Sequence, residues 1–453
     1  MHTESLITVY VVNHNYGKYL RQALSSVIKQ TYQNYELIVI DDGSTDNSRQ
    51  VIEQFEKTHT IKVIWQKNKG LTASNNVALK LVKTKYIMRL DADDYLSTNA
   101  LHDMVTKLES DSDLALVFPD YWEVDEEGNI LHRIQRNNIE KEVSLLDIPA
   151  HGACTTIRTK ILKEVGGYDE DFNRQDGFDL WLKVAHKYKV ANINSPLFYY
   201  RQHTRSLTRN EKVLLETRAK IINKHVETRR LAPIKVFAII PVRGSRLDAR
   251  SMPLEDLMGC PLINWTINSA LGCSDIDKVI VTTPDCEVLD NVNSSYGEKV
   301  LLHKRDSPLA QIDMGLEDTV VDVVSNLDPK LRPDAIVILN IDAPFRSKIY
   351  LTKAINVMQL FDVDAVVGVR LDQDVFYNHD GRGLTPRTKR ETRFERDDLY
   401  RKCGGMTLLK YKFLEKGGTI LGGRVGHIII DQKSAFTIKT DFDWQIAKFL
   451  ADF

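Results

Sequence analysis

Lys85-Tyr-Ile-Met-Arg-Leu-Asp-Ala-Asp-Asp94 is the stretch that decides the fold: a short apolar run that reads as a β-strand and delivers three carboxylates, Asp91, Asp93 and Asp94, at its carboxyl end. A second strand-like run, Tyr35-Glu-Leu-Ile-Val-Ile40, ends in Asp41-Asp42-Gly-Ser-Thr-Asp46. A third, Leu6 to Val12, leads into Asn13-His-Asn-Tyr-Gly17 and then into Leu20 to Ile28, where apolar residues recur at helical spacing. Strand, helix, strand, helix is the order of a parallel α/β sheet, and ligands of such sheets collect beyond the carboxyl ends of the strands. Both acidic clusters fall there. Clustered carboxylates next to a nucleotide diphosphate require a hard cation between them, Mg²⁺ or Mn²⁺.

Several separated motifs make residues 6 to about 210 resemble a family 2 glycosyltransferase with the GT-A fold. They are Val11-Val-Asn-His-Asn-Tyr-Gly-Lys-Tyr-Leu20, Ser26-Val-Ile-Lys-Gln-Thr-Tyr-Gln-Asn-Tyr-Glu-Leu-Ile-Val-Ile-Asp-Asp-Gly-Ser-Thr-Asp46, Asn68-Lys-Gly-Leu-Thr-Ala-Ser-Asn75 and the Asp91-Ala-Asp-Asp run. The resemblance implies that Asn13, Asp41, Asp42 and Asn75 line the donor nucleotide, that Asp91 faces the nucleotide sugar, and that Asp93 binds the metal. In Ala73-Ser74-Asn75 the family often has arginine at the middle position, so a cationic donor contact is missing there.

Inversion at the anomeric carbon requires a general base for the acceptor hydroxyl. The stretch Gln175-Asp176-Gly-Phe-Asp179-Leu-Trp181 resembles the family's Glu-Asp segment before Leu-Trp, with one extra residue between acid and tryptophan. Asp176 is the first candidate and Asp179 the second, Asp179 also suiting a first-turn helix acid. Tyr199-Tyr-Arg-Gln-His203 resembles the segment in which a histidine or arginine approaches the diphosphate or metal, which makes His203 a further metal candidate.

A charged helical stretch, Glu211 to Arg230, closes at Leu231-Ala-Pro233, and the alternation restarts at Lys235-Val-Phe-Ala-Ile-Ile-Pro-Val-Arg-Gly-Ser-Arg246. Domains 1–232 and 233–453 follow. Together with Met252 to Ala270, Lys278 to Asp285 and Ala335 to Arg346, this half resembles the sugar-acid cytidylyltransferases, the CMP-Kdo and CMP-sialic acid synthetases, which join CTP to a sugar acid. The resemblance places Arg243, Ser245 and Arg246 on the triphosphate and Asp342 on a metal. It also exposes a departure: Phe436-Thr-Ile-Lys-Thr-Asp-Phe-Asp-Trp444 carries Thr437 and Lys439 where the family has metal-side aspartates, and an ammonium there repels a divalent cation. The basic segment Arg382 to Lys402 resembles the region that forms the subunit interface and sugar-acid pocket of those synthetases.

The expected fold class is α/β: two Rossmann-like nucleotide-binding domains, a GT-A glycosyltransferase followed by a nucleotidyltransferase-like domain. The expected function is inverting transfer from a nucleotide-sugar donor to a glycan or lipid-linked acceptor in surface polysaccharide assembly, with CTP and a sugar acid as partners of the second domain. The alternative makes the second half a degenerate binding or homo-oligomerisation module. A formal net charge of -1 over 453 residues argues against nucleic acid as a partner. Five cysteines without a Cys-x-x-Cys pair speak against zinc and disulfides. The absence of a signal-like start or a membrane-length apolar run predicts a cytoplasmic protein, at most peripheral at the inner face of the membrane.

Overall fold

The computed structural model describes residues 5–135, 152–204, 210–244, 251–311, 313–372, 374, 376–379, 381, 383–386 and 399–452. The chain divides into two compact units, the first running to Ile221 and the second starting at Ile222.

In the first unit β1 (Ile7–Asn13), α1 (Gly17–Ile28), β2 (Tyr35–Asp42), α2 (Ser48–Thr58), β3 (Lys62–Gln66), α3 (Leu71–Leu81) and β4 (Tyr86–Asp91) alternate as expected. β5 (Tyr95–Leu96), α4 (Ala100–Glu109), β6 (Leu114–Val124), β7 (Ile130–Ile134), β8 (Thr156–Arg158), α5 (Thr159–Glu164), α6 (Asp176–Ala185) and β9 (Lys189–Arg201) follow, and α7 (Glu211–Arg229) runs across the division between the units. The strands order as β3-β2-β1-β4-β8-β6-β9-β5, with β7 beside β6. β1 is buried along its whole length, as a central strand covered on both faces must be, which is why its sequence is a continuous β-branched run. It pairs in parallel with both β2 and β4, with Asn13 opposite Asp41 and Val12 opposite Asp91. Chain order reverses at β1, so the crevice at that switch point receives Asn13, Asp41 and Asp91 within one residue of the same level. Leu20, Ala23, Leu24 and Val27 of α1 pack onto the sheet with Ile7, Val9 and Val11.

The second unit repeats the logic. Its elements are β10 (Val236–Pro241), α8 (Leu262–Leu271), β11 (Lys278–Thr283), α9 (Cys286–Tyr296), β12 (Leu301–Lys304), α10 (Leu316–Ser325), β13 (Ala335–Leu339), α11 (Lys348–Phe361), β14 (Ala365–Asp372), β15 (Tyr377–His379), β16 (Leu384–Pro386), β17 (Leu399–Lys410), α12 (Tyr411–Glu415), β18 (Val425–Ile429) and α13 (Asp441–Ala451). The main sheet runs β12-β11-β10-β13-β17-β14-β18, with β10 parallel to β11 and β13 and β17 antiparallel. Among the described residues no helix is long and apolar enough to cross a membrane.

Candidate active site

The site in the first unit forms from the ends of β1, β2 and β4, the start of α6 and the end of β9. Asp41 is buried, and its two oxygens accept from Asn13 Nδ2 and from the Ser44 amide, each at 2.9 Å. Asp42 is also buried and gathers the 66–70 loop: Gln66 Nε2 donates to it at 2.7 Å, and the Lys69 and Gly70 amides at 2.9 Å. These bonds consume much of both carboxylates within the protein. The buried Oδ1 atoms of Asn13 and Asn75 accept from no group among the described residues.

Asp91 ends β4, and Asp93 follows it in the turn closed by the Asp94 amide on the Asp91 carbonyl. Burial pushes the Asp91 carboxyl up to about 6 against the opposing pull of Arg89, with Asp93 adding to the rise. Asp93 Oδ2 lies 2.9 Å from His203 Nε2, and the histidine ring packs between Tyr16 and Tyr19. Asp94 points inward, accepts from the Arg201 amide at 2.9 Å, and is held well above the usual carboxylate range by burial beside Asp93 and Asp91. Arg201, buried, fixes this turn. Its Nε donates to the Asp93 carbonyl at 2.9 Å, Nη1 to the Glu126 carbonyl at 2.7 Å and Nη2 to Gln22 Oε1 at 2.7 Å, while its guanidinium lies over the Tyr19 and Tyr95 rings.

The two base candidates separate. Asp176, at the first position of α6, is 6 % exposed and enters the same cluster: Asn75 Nδ2 donates to its Oδ2 at 3.0 Å, and Arg89 Nη1 donates to the same oxygen. Asp179 turns to Lys183 Nζ on its own helix, at 2.7 Å. Arg89, which a reading of the strand as an apolar run passes over, joins the two sides: its Nε is 2.9 Å from Asp91 Oδ1 while Nη1 holds Asp176. The signal for Arg89 is a lone arginine within an otherwise apolar strand, since a buried guanidinium is tolerated only when paired. Arg201 lies in the segment Tyr199 to His203, whose histidine or arginine the family resemblance directs to the diphosphate or metal; its observed bonds go to the Asp93-Asp94 turn.

In the second unit Arg243 follows β10 and Arg305 follows β12. Arg305 is 3 % exposed, donates through Nη2 to the Val242 carbonyl at 2.6 Å, and is lowered to about 10 by burial and then by Arg243. Ser245, Arg246 and residues 387–398 of the basic segment lie outside the described residues. Asp342 follows β13. Its carbonyl accepts from the Ile438 amide at 2.8 Å, its Oδ1 is buried without a partner among the described residues, and its carboxyl is raised by burial and lowered by Arg346 and Lys439. The Arg346 guanidinium binds the carbonyls of Asn340, Gly404 and Gly405 at 2.7–2.9 Å.

Comparison with known proteins agrees with this architecture. The profile of glycosyl transferase family 2 matches residues 8–166, and that of the cytidylyltransferases matches residues 237–368. An uncharacterized glycosyltransferase of Haemophilus influenzae is 30 % identical over 291 residues, which cover 59 % of this chain and 89 % of that one. Chondroitin synthase of Escherichia coli is 30 % identical over 193 residues (42 % of this chain, 28 % of the relative), and glycosyltransferase GlyG of Streptococcus pneumoniae 29 % over 223 residues (46 % and 74 %). The chain belongs to glycosyl transferase family 2, and its second unit carries the match to the cytidylyltransferases. It spans little more than a quarter of the chondroitin synthase, 28 % of that protein's length.

Proposed function

We propose that the first domain, residues 1–232, transfers a sugar with inversion from a nucleotide-sugar donor to a hydroxyl of a glycan or lipid-linked acceptor in surface polysaccharide assembly. The observation that carries this is the meeting of Asp91, the Asp93–His203 pair and Asp176 at the switch point of one sheet, with the second acid, Asp179, turned away to Lys183. Asn13, Asp41, Asp42 and Asn75 form the nucleotide side, where the free Oδ1 atoms of the two asparagines await donors such as ribose hydroxyls. The chondroitin synthase relative favours a polysaccharide acceptor.

Asp93 Oδ2 and His203 Nε2 fit a divalent cation, Mg²⁺ or Mn²⁺: among the described residues no third His, Cys, Asp or Glu joins them, and such ions draw their remaining ligands from phosphate oxygens and water. When bound, the ion would neutralise charge on the leaving diphosphate. Asp176 takes the acceptor proton. Asp93→Ala should end transfer with the fold intact. Asp176→Asn should slow it by about 10²–10⁴-fold with donor binding retained. Unchanged turnover in either variant removes that residue from the mechanism.

For the second domain, residues 233–453, we propose a nucleoside triphosphate site, with CTP as ligand and a sugar acid as co-substrate, whose cation requirement is altered. Arg243 and the buried Arg305 concentrate positive charge at two strand ends, which an anion would relieve. Lys439 and Arg346 set positive charge on Asp342 where the related synthetases hold a metal. Pyrophosphate release from CTP and a panel of sugar acids, lost in Asp342→Ala, would establish cytidylyl transfer. No release with any acid would favour the binding or oligomerisation module.

A further inference from the structure

We propose that Arg89 is a positioning residue for sugar transfer: one guanidinium spans the donor-side Asp91 and the acceptor-side Asp176, pinning Asp176 by one oxygen and leaving the other for the incoming hydroxyl. The inference rests on Asp176 being the base.

Arg89 stands two residues before Asp91, so both side chains leave the same face of β4. Its side chain is 5 % exposed, with Nε 2.9 Å from Asp91 Oδ1 and Nη2 3.4 Å from Asp91 Oδ2. A leucine would pack at this strand end without the cost of burying a charge, and the guanidinium is kept because two carboxylates share it. On Asp176 the donors converge: Arg89 Nη1 and Asn75 Nδ2 both bind Oδ2, and among the described residues no donor reaches Oδ1. Oδ1 therefore keeps its lone pairs. The backbone closes over the guanidinium as well, since a Cβ on Gly152 would fall 2.4 Å from Nη2. Other groups facing the cluster are the Tyr10 and Tyr168 hydroxyls, 2.9 Å apart, which remain protonated because burial raises both.

In the transfer step the acceptor oxygen bonds to the anomeric carbon while the bond from that carbon to the diphosphate oxygen breaks. The electron pair leaves with the nucleoside diphosphate, and the hydroxyl proton passes to Asp176 Oδ1 and later to solvent. Arg89 exchanges no proton. It fixes the angle at which Oδ1 meets the acceptor and screens Asp91, Asp93 and Asp176 from one another.

A double-mutant cycle on the full chain tests this, with UDP-glucose, UDP-galactose and their N-acetylated counterparts as probes, water as acceptor and UDP release as readout. Arg89→Gln should lower kcat about 10²-fold with KM for the sugar nucleotide within about threefold. In the Asp176→Asn background the same substitution should cost less than about threefold, because a residue that acts through Asp176 has nothing left to position. Arg89→Lys should recover about a tenth of wild-type turnover, keeping the charge without the span. If Arg89→Gln fails to fold, Gly152→Ala supplies the displacement with the charge kept, and its kcat loss should likewise vanish in Asp176→Asn. Equal losses in both backgrounds, a loss confined to KM, or wild-type turnover in Arg89→Gln overturn the positioning role while leaving the transferase assignment standing. A fully active Asp176→Asn overturns the base and this inference together, and no UDP release by the wild-type chain from any probe overturns turnover of these sugar nucleotides at this site and, with it, the positioning role as stated.

Discussion

Asp91→Asn should stabilise the first unit at neutral pH while removing transfer. Asp91 sits beside Asp93 and Asp176 with Arg89 as the nearest cation, and burial raises its carboxyl from 3.8 to about 6. That rise corresponds to about 3 kcal/mol by which the ionised form is less favourable in the folded than in the unfolded chain. The side chain is 23 % exposed, so solvent screening leaves most of this in place. Because the folded value lies above the unfolded one, the penalty is absent below 3.8, grows between 3.8 and about 6, and is constant above. Asparagine removes it, so the variant should be more stable by on the order of 2–3 kcal/mol at pH 7 and little changed at pH 4. Two units make a single unfolding midpoint ill-defined, so the measurement is amide exchange, read by mass spectrometry, in β1 and β4 of both proteins in chelator. Faster exchange in the variant at pH 7, or the same difference at pH 4 as at pH 7, would refute the electrostatic account.

Asp179→Asn should leave kcat within about threefold of wild type, since its carboxylate serves Lys183, while costing about 1–3 kcal/mol of stability; a hundredfold kcat loss would reverse the choice of base. Gly43→Ala should destabilise the nucleotide side by about 1–3 kcal/mol, because Gly43 has φ +76° and an added Cβ would lie 2.8 Å from the Asn68 amide nitrogen; faster amide exchange in β2 and the 66–70 loop checks this. Lys439→Asp should create Mn²⁺ binding in the second unit that calorimetry detects, and no new binding would show that charge at this position is not what governs cation affinity there.

The strand-end acids and the order of strands and helices were legible because they depend on local patterns: β-branched runs, helical spacing in α1, and carboxylates just past each strand. Asp176 and Asp179 were legible only as a ranking, since they stand three positions apart and the contact that sets their surroundings apart comes from Arg89, 87 positions before Asp176. Arg89 escapes notice because a single arginine in a strand leaves the apolar pattern intact, and Asp176, the second partner of its guanidinium, lies far along the chain; Arg201 falls in a segment that the resemblance singles out, but its partners at Asp93 and Gln22 are equally remote in sequence. Asp42 shows the converse. Its place after β2 was plain, but its work in holding Lys69, Gly70 and Gln66 emerges only when the loop after β3 folds back across the strand end.

Arg201 also bears on the order in which this unit acquires its parts. The donors that complete the Asp93-Asp94 turn come from 107 and 108 residues downstream, at the very end of β9, and the same side chain reaches back 179 residues to Gln22. Closing loops of that length is entropically slow, so the turn should remain unformed in any intermediate in which only β1 to β4 have assembled. During synthesis the ribosome must release Arg201 before the turn can close, and during refolding amide protection of the turn should lag behind the recovery of strand content.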